Sequence, residues 1–134
     1  MIKIKNFELK SGVDIFKAFG DEARVRILHL MYKTGESCVS DMEMILDYTQ
    51  TKTSRHLSYL RNMRLVKYRK QDQWIYYSLN EAYSEIFAQL FMFLEKDPVL
   101  QNDLTEYRTL YSNNELAIRK LHSKQNKYKV PALI

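Results

Sequence analysis

Residues 40–64, SDMEMILDYTQTKTSRHLSYLRNMR, decide the fold of this chain. Their spacing predicts two short helices joined by a turn, and the second of these helices covers residues 50–63. At about 100° per residue, Thr53, Leu57 and Leu60 fall on one side of that helix and form its buried face. The stretch therefore predicts a helix-turn-helix.

The opposite face of the second helix carries short hydroxyl side chains around one arginine, with an amide at its start. The residues are Gln50, Thr51, Ser54, Arg55 and Ser58. An ordinary solvated helix presents a mixture of glutamate and lysine instead. Hydroxyl, amide and guanidinium groups are the ones that bond base edges and phosphates. We therefore predict that this face lies in a groove of DNA.

The same region is locally basic. Residues 48–71 contain seven lysines and arginines and no acid, although acids are common elsewhere in the chain. The seven are Lys52, Arg55, Arg61, Arg64, Lys67, Arg69 and Lys70. A net charge of +5 and a sequence pI near 9.2 also favour a polyanionic partner.

Helical spacing predicts two helices before this stretch, over residues 9–19 and 22–32, with Asp21 as the N-cap of the second. In the third helix, residues 41–47, Ser40 and Glu43 match an S-x-x-E capping box. Thr49 is the predicted N-cap of the fourth. Residues 65–70 and 74–79 are rich in β-branched and aromatic residues and predict a hairpin, in which Asp72 takes the positive φ of the turn.

Beyond the hairpin, an apolar helix follows Asn80, and Pro98 opens a further helix. A last short helix is predicted over residues 114–124, followed by a basic, mostly disordered tail to residue 134. We expect a winged helix-turn-helix and dimerisation domain over residues 1–97 and a helical extension over residues 98–134. The fold class is mainly α with a small β-hairpin.

Composition narrows the class of protein. With 134 residues, three glycines and two prolines, the chain suits one helical domain rather than a many-turned β fold. Its single cysteine excludes an intrachain disulfide and fits a reducing cytosol. The sequence shows no membrane-spanning stretch and no signal peptide pattern, so we expect a cytoplasmic protein.

The helix after Asn80 is apolar on more than one face. Its apolar residues are Tyr83, Ile86, Phe87, Leu90, Phe91 and Leu94. A chain this short has little interior in which to bury them, so we expect some to pack against a second subunit. The alternative is a hydrophobic ligand pocket lined by Phe87, Phe91 and Phe93.

Two segments resemble a known family. FKAFGDEARVRIL, residues 16–28, resembles the opening signature of the ArsR/SmtB family of bacterial repressors. SCVSDMEMILDYTQTKTSRHLSYLRNMRLVKYRKQDQWIYYSL, residues 37–79, resembles its helix-turn-helix and wing, with an SRHL-x-x-L core and a W-x-Y-Y second wing strand. The resemblance covers residues 16–94. Glu22 and Ala23 stand where the family more often has proline and threonine.

The resemblance implies a homodimeric, metal- or stress-responsive repressor that binds double-stranded DNA at a palindromic operator. Carried over by position, Gln50, Thr51, Ser54 and Arg55 would read the major groove. At the wing, Lys70 and Gln73 would reach phosphates or the minor groove. Including the local basic residues, the predicted DNA contacts are Gln50, Thr51, Lys52, Ser54, Arg55, Arg61, Arg69, Lys70 and Gln73. The predicted dimer contacts are Phe16, Tyr83, Phe87, Leu90, Phe91 and Leu94.

The metal-binding chemistry of the family is incomplete in this sequence. Many relatives carry a CVCDLC-like run whose thiolates bind soft ions. In that run this chain keeps one thiol, Cys38, beside Ser40 and Glu43. The helix after Asn80 carries no histidine, and its acids before Glu95 are Glu81 and Glu85. We therefore predict no metal site and no cofactor.

Cys38 keeps three interpretations: an inert thiol, a redox or electrophile sensor with a pKa lowered by the nearby helix N-terminus, or a disulfide with its copy across a dimer. Two other functions stay open for the whole chain. One is a winged-helix module that binds RNA or protein through exposed aromatic residues. The other is an enzyme with Cys38 as nucleophile, although no histidine lies near it in sequence.

Overall fold

The computed structural model describes residues 6–128, and capped helices dominate it. In chain order the elements are α1 (Leu9–Phe19), α2 (Glu22–Thr34), β1 (Ser37–Cys38), α3 (Val39–Leu46), α4 (Gln50–Asn62), β2 (Val66–Gln71), β3 (Trp74–Leu79), a 3-10 turn (Glu81–Tyr83), α5 (Ser84–Met92), α6 (Pro98–Ser112) and α7 (Ala117–Tyr128). The predicted mainly helical fold with a small hairpin is confirmed. Within the described residues, no helix combines the length and apolarity needed to cross a bilayer.

Side-chain caps fix where the central helices begin. The Asp21 carboxylate accepts a hydrogen bond from the backbone N–H of Ala23 at 2.8 Å, at the start of α2. The Thr49 hydroxyl accepts one from Lys52 N–H at 3.1 Å, at the start of α4. Both predicted caps are confirmed. Each satisfies a helix N–H group that has no partner within the helix.

The predicted capping box of Ser40 and Glu43 is wrong. Helix α3 begins at Val39, so Ser40 already lies within the helix and Cys38 occupies the N-cap position. The cause is β1, a two-residue strand that sequence analysis did not predict. It pairs with β3, with Cys38 opposite Tyr76, and this pairing holds the chain extended up to the first residue of α3.

The three strands form one antiparallel sheet in the order β1-β3-β2. Strands β2 and β3 form the predicted hairpin, with Val66 opposite Leu79 and Gln71 opposite Trp74. Asp72 adopts φ 56° in the turn, as predicted, since no glycine is present there. This hairpin is the wing.

Both C-terminal helices share the core of the winged helix. Leu104 of α6 and Leu116, Ile118 and Leu121 of the α7 region are buried in the same cluster as Leu28 of α2. The predicted boundary at residue 97 stays a prediction. Helix α7 extends to Tyr128, beyond its predicted end, and residues 129–134 of the predicted disordered tail lie outside the described part of the chain.

The aromatic residues of α5 pack inward rather than outward. Phe87 and Phe91 are 0% exposed. The Phe19 ring lies 6.0 Å from that of Phe87 and 5.3 Å from that of Phe91, and Tyr32 lies 5.0 Å from Phe91. The prediction that Phe87 and Phe91 contact a second subunit is therefore wrong, because the folded chain already covers both rings.

Candidate nucleic-acid interface

Helix α4 divides into the two faces that its sequence predicts. Its inner face consists of Thr53, His56, Leu57 and Leu60, all buried. Its outer face consists of Gln50, Thr51, Arg55 and Ser58, which are exposed, together with the half-buried Ser54. Over residues 6–128, no intrachain hydrogen bond or ion pair engages the side chain of Arg55. The outer face therefore presents polar groups able to bind a partner.

Packing against α2 holds α4 in place. His56 is buried, with its Nε2 atom 4.0 Å from the Asp21 carboxylate, and burial lowers the pKa of its imidazole. The guanidinium of Arg24 lies over the Tyr59 ring at 4.4 Å from its centroid and donates to the backbone oxygen of Lys17 at 2.6 Å. His56 and Tyr59 thus have structural partners, whereas within residues 6–128 no hydrogen bond or ion pair engages the side chains of the outer face.

Two basic side chains of α4 lie over aromatic rings. The Lys52 ammonium lies 4.0 Å from the centroid of Tyr48, and the Arg61 guanidinium lies 4.7 Å from that of Tyr68. Tyr48 precedes α4, and Tyr68 lies on β2. These cation–π contacts restrict both side chains at the surface of α4, which lowers the conformational entropy that they would lose on binding a partner.

The wing presents a second polar surface. Lys70 and Gln73 are exposed on either side of the turn, as are Gln71 and Asp72. Because Gln71 pairs with Trp74 across the hairpin, these side chains lie at its tip. The structure thus places Lys70 and Gln73 at the end of the wing, where sequence analysis predicted DNA contacts.

Arg69 differs from the other predicted DNA contacts. Its Nε and Nη2 atoms donate to the two carboxylate oxygens of Glu36 at 2.6 and 2.9 Å. This bidentate pair raises the pKa of Arg69 and lowers that of Glu36. Since the guanidinium is engaged within the chain, we leave Arg69 out of the proposed DNA contacts.

A further network lies behind the helix-turn-helix, and sequence analysis missed it. Arg26 of α2 donates to both oxygens of Asp103 of α6, at 2.7 and 3.0 Å. It also donates to the Tyr48 hydroxyl at 2.9 Å and to the Leu46 carbonyl at 3.3 Å. The carboxylate raises the pKa of Arg26. Through Arg26, α6 is tied to the turn between α3 and α4.

Cys38 is 1% exposed, and its sulfur lies 3.3 Å from the Ser40 hydroxyl oxygen. Burial raises the pKa of the thiol, so the lowered pKa expected from a nearby helix N-terminus is wrong. The residue borders a cleft of about 290 Å³ between the start of α4 and the wing, which Gln50 and Gln73 also line. Its sensing role stays a prediction.

No cluster of three or more histidine, cysteine, aspartate or glutamate side chains suited to a metal ion occurs in the described part of the chain. His29 and His56 are separately buried in the core. The Nδ1 atom of His122 lies 2.8 Å from the Tyr111 hydroxyl oxygen.

Residues 21–68 match the family described as bacterial regulatory protein, arsR family. The chain is 43% identical over 68 residues to the arsenical resistance operon repressor of Escherichia coli (strain K12), a match that covers 51% of this chain and 58% of that protein. It is 36% identical over 81 residues to the arsenical resistance operon repressor of Bacillus subtilis (strain 168), covering 60% and 77%. The chain thus spans less than two thirds of the E. coli repressor.

Two solved structures share the fold. HlyU from Vibrio cholerae N16961 superposes with a TM-score of 0.57 and 30% identity, covering 63% of this chain and 90% of that one. The homodimeric winged helix-turn-helix DNA-binding domain of Mb0332 from Mycobacterium bovis, described as a possible ArsR-family transcriptional regulator, gives 0.59 and 25%, covering 66% and 82%.

Proposed function

Because the chain belongs to the arsR family of bacterial regulatory proteins, we propose that it is a repressor that binds a palindromic DNA operator as a homodimer. Relatives named as repressors, and a solved winged helix-turn-helix DNA-binding domain with the same fold, support DNA-binding regulation. The observation that carries the proposal is the outer face of α4, whose polar side chains are exposed beside a basic wing.

The proposed contacts follow from position and chemistry. Gln50, Thr51, Ser54 and Arg55 face outward from the first turns of α4, where a recognition helix meets base edges. Lys52 and Arg61, held on aromatic rings at the flanks, suit phosphates. Lys70 and Gln73 at the tip of the wing suit the adjacent phosphates or the minor groove.

An exposed apolar surface supports the homodimer. Leu9, Val13 and Phe16 recur at helical spacing on α1 and are 85%, 40% and 75% exposed. At the end of α5, Met92 and Phe93 are 64% and 75% exposed. A monomer rarely leaves so many large apolar side chains in water. We propose these five residues, with the half-buried Tyr83, Leu90 and Leu94, as the dimer surface.

The proposed regulatory role disfavours the alternative in which Cys38 is the nucleophile of an enzyme. The relatives above are named as regulators rather than enzymes, and Cys38 is buried with a raised pKa, which disfavours a nucleophile. For Cys38 to sense an oxidant or electrophile, the thiol would first have to become exposed. We place the protein in the cytoplasm, where a bacterial regulator meets its DNA.

The test is selection of bound sequences by the full chain from a random duplex pool. We expect an enriched palindrome whose half-sites lie about 10 base pairs, or one helical turn, apart. An RNA pool run in parallel tests the RNA-binding alternative. Enrichment of RNA over duplex, or duplexes bound without any preferred sequence, would contradict the proposal. Repeating the selection with metals and oxidants identifies the class of inducer.

A further inference from the structure

Helix α7 is held against the helix-turn-helix by a buried carboxylate. Asp41 of α3, 1% exposed, accepts hydrogen bonds from the backbone N–H groups of Ala117 and Ile118 at 2.7 and 2.9 Å. These donors belong to the first turn of α7, where a helix N–H has no partner within the helix. Apolar packing of Leu121 adds to the anchor. The position of α7 is therefore fixed relative to α3.

From this anchor, α7 runs beside the wing. A cleft of about 450 Å³ separates the two, and its walls include Gln73 and Trp74 of the wing and Lys120 and Lys124 of α7. The two lysines are one helical turn apart, so they share a face of α7. Both are exposed. Their ammonium groups thus lie along the cleft that leads to the tip of the wing.

The contact at the tip is between opposite charges. The Lys124 ammonium lies 3.5 Å from a carboxylate oxygen of Asp72 in the wing turn. Asp72 directly follows the basic stretch of residues 48–71 and is the only acidic residue in residues 48–80. An exposed ion pair of this kind adds little to folding stability. Its larger effect is on the surface potential, because it offsets the one negative charge that the wing would direct at a phosphate.

We propose that α7 is a third DNA-binding element, in which Lys120 and Lys124 bind backbone phosphates next to those reached by the wing. The proposal rests on the proposed function, since it requires a duplex on the α4 and wing surface. It commits to the phosphate backbone of duplex DNA as the occupant, because both exposed groups are ammonium ions beside the tip of the wing, where the duplex backbone is proposed to lie.

The test is a salt titration of binding to a fluorescent duplex of about 30 base pairs, long enough for two half-sites one turn apart. With the full chain, Lys120→Ala/Lys124→Ala is expected to bind more weakly and to reduce the slope of log K against log salt by about 0.9 for each lost phosphate contact. Lys96→Ala, in the connection between α5 and α6, is the matched control and should keep the wild-type slope. A double variant with the wild-type slope overturns the proposal.

A double-mutant cycle tests the role of the wing carboxylate. Asp72→Asn is expected to strengthen duplex binding more in the Lys124→Ala background than in the wild type, because only there is the carboxylate uncompensated. Equal gains in both backgrounds overturn the compensation by Lys124. Thermal unfolding of every variant checks that the exposed substitutions leave the fold intact.

Failure of this inference can be told apart from failure of the proposed function. If the wild-type chain binds no duplex, both are overturned. If it binds a selected palindrome while the Lys120→Ala/Lys124→Ala variant matches its affinity and salt slope, only the inference about α7 fails.

Discussion

Arg26 and Arg55 show how two regions of one helical domain use the same side chain differently. Arg26 lies behind the helix-turn-helix, where Asp103, Tyr48 and the Leu46 carbonyl accept its hydrogen bonds. Arg55 lies on the outer face of α4 and is exposed. The first arginine joins three parts of the fold, whereas the second is available to a partner.

The comparison teaches that residue type alone does not assign a role to a basic side chain. Among the basic residues of 48–71, Arg69 was a predicted DNA contact, yet it is bound to Glu36, and Lys67 lies 2.7 Å from a carboxylate oxygen of Glu81. Arg26 and Arg69 are each held by both oxygens of one carboxylate, and this pairing rather than charge distinguishes them from Arg55. Substitutions at the two arginines should therefore affect different measurements.

The largest effect is expected for Arg26→Ala. The change leaves the Asp103 carboxylate, which is 1% exposed, without its guanidinium partner. Removing one member of a buried ion pair costs about 3–5 kcal/mol, so we expect a loss of that size in the free energy of unfolding, measured by urea denaturation.

The control replaces both partners, as Arg26→Met/Asp103→Leu. Apolar side chains of similar size leave no buried charge, so most of the stability should return. If the double variant is no more stable than Arg26→Ala, the unpaired carboxylate is not the cause of the loss.

An intermediate effect, on binding rather than stability, is expected for Arg55→Ala. Loss of a bidentate contact to a base costs about 1–3 kcal/mol of discrimination, so the preference for the selected operator over random duplex should relax. The urea midpoint should match that of the wild type. Lys70→Ala is the control, because a lost phosphate contact weakens all sequences alike. An Arg55→Ala protein with unchanged operator preference would contradict the assigned role.

The smallest effect is expected from a change of pH, which acts on folding stability through the buried His29. His29 is 0% exposed, and within residues 6–128 neither ring nitrogen has a hydrogen-bond partner. Burial, and then Lys33, lowers the pKa of His29 below 6.5, while Asp103 and Glu95 act in the opposite direction. Below pH 6.5 the unfolded chain therefore binds a proton that the folded chain resists. Stability is full above pH 6.5 and falls as pH decreases, by at most about 1.4 kcal/mol per pH unit for one group.

The measurement is urea unfolding at a series of pH values, with His29→Leu as the control. The substitution should reduce the loss of stability at low pH. It should not abolish the loss, because burial also lowers the pKa of His56. An unchanged pH dependence in His29→Leu would show that the imidazole is not responsible.

Local signals in the sequence predicted the elements that depend on neighbouring residues. The Asp21 and Thr49 caps, the two faces of α4 and the positive φ of Asp72 all arise from residues close together in the chain. The exposed polar face of α4 was predicted for the same reason, because helical periodicity alone separates it from Leu57 and Leu60.

Contacts between distant residues were not predictable in this way. Asp41 and Ala117 are 76 residues apart, and Arg26 and Asp103 are 77 residues apart. Strand β1 has two residues, too few for a periodic pattern, and its pairing with β3 moved the start of α3. Phe87 and Phe91 were assigned to a second subunit because the sequence does not show that α1 and α2 cover them.

The Asp41 carboxylate limits which protein scaffolds can accept this helix-turn-helix. Grafted onto a scaffold without an equivalent of α7, the carboxylate would lose both backbone N–H donors and the helix turn that covers it. A chimaera ending at Ser112 would also lose the core side chains Leu116, Ile118 and Leu121, so we expect it to be less stable than the full chain. Through the Asp41 side chain, α7 is thus an integral part of the helix-turn-helix domain.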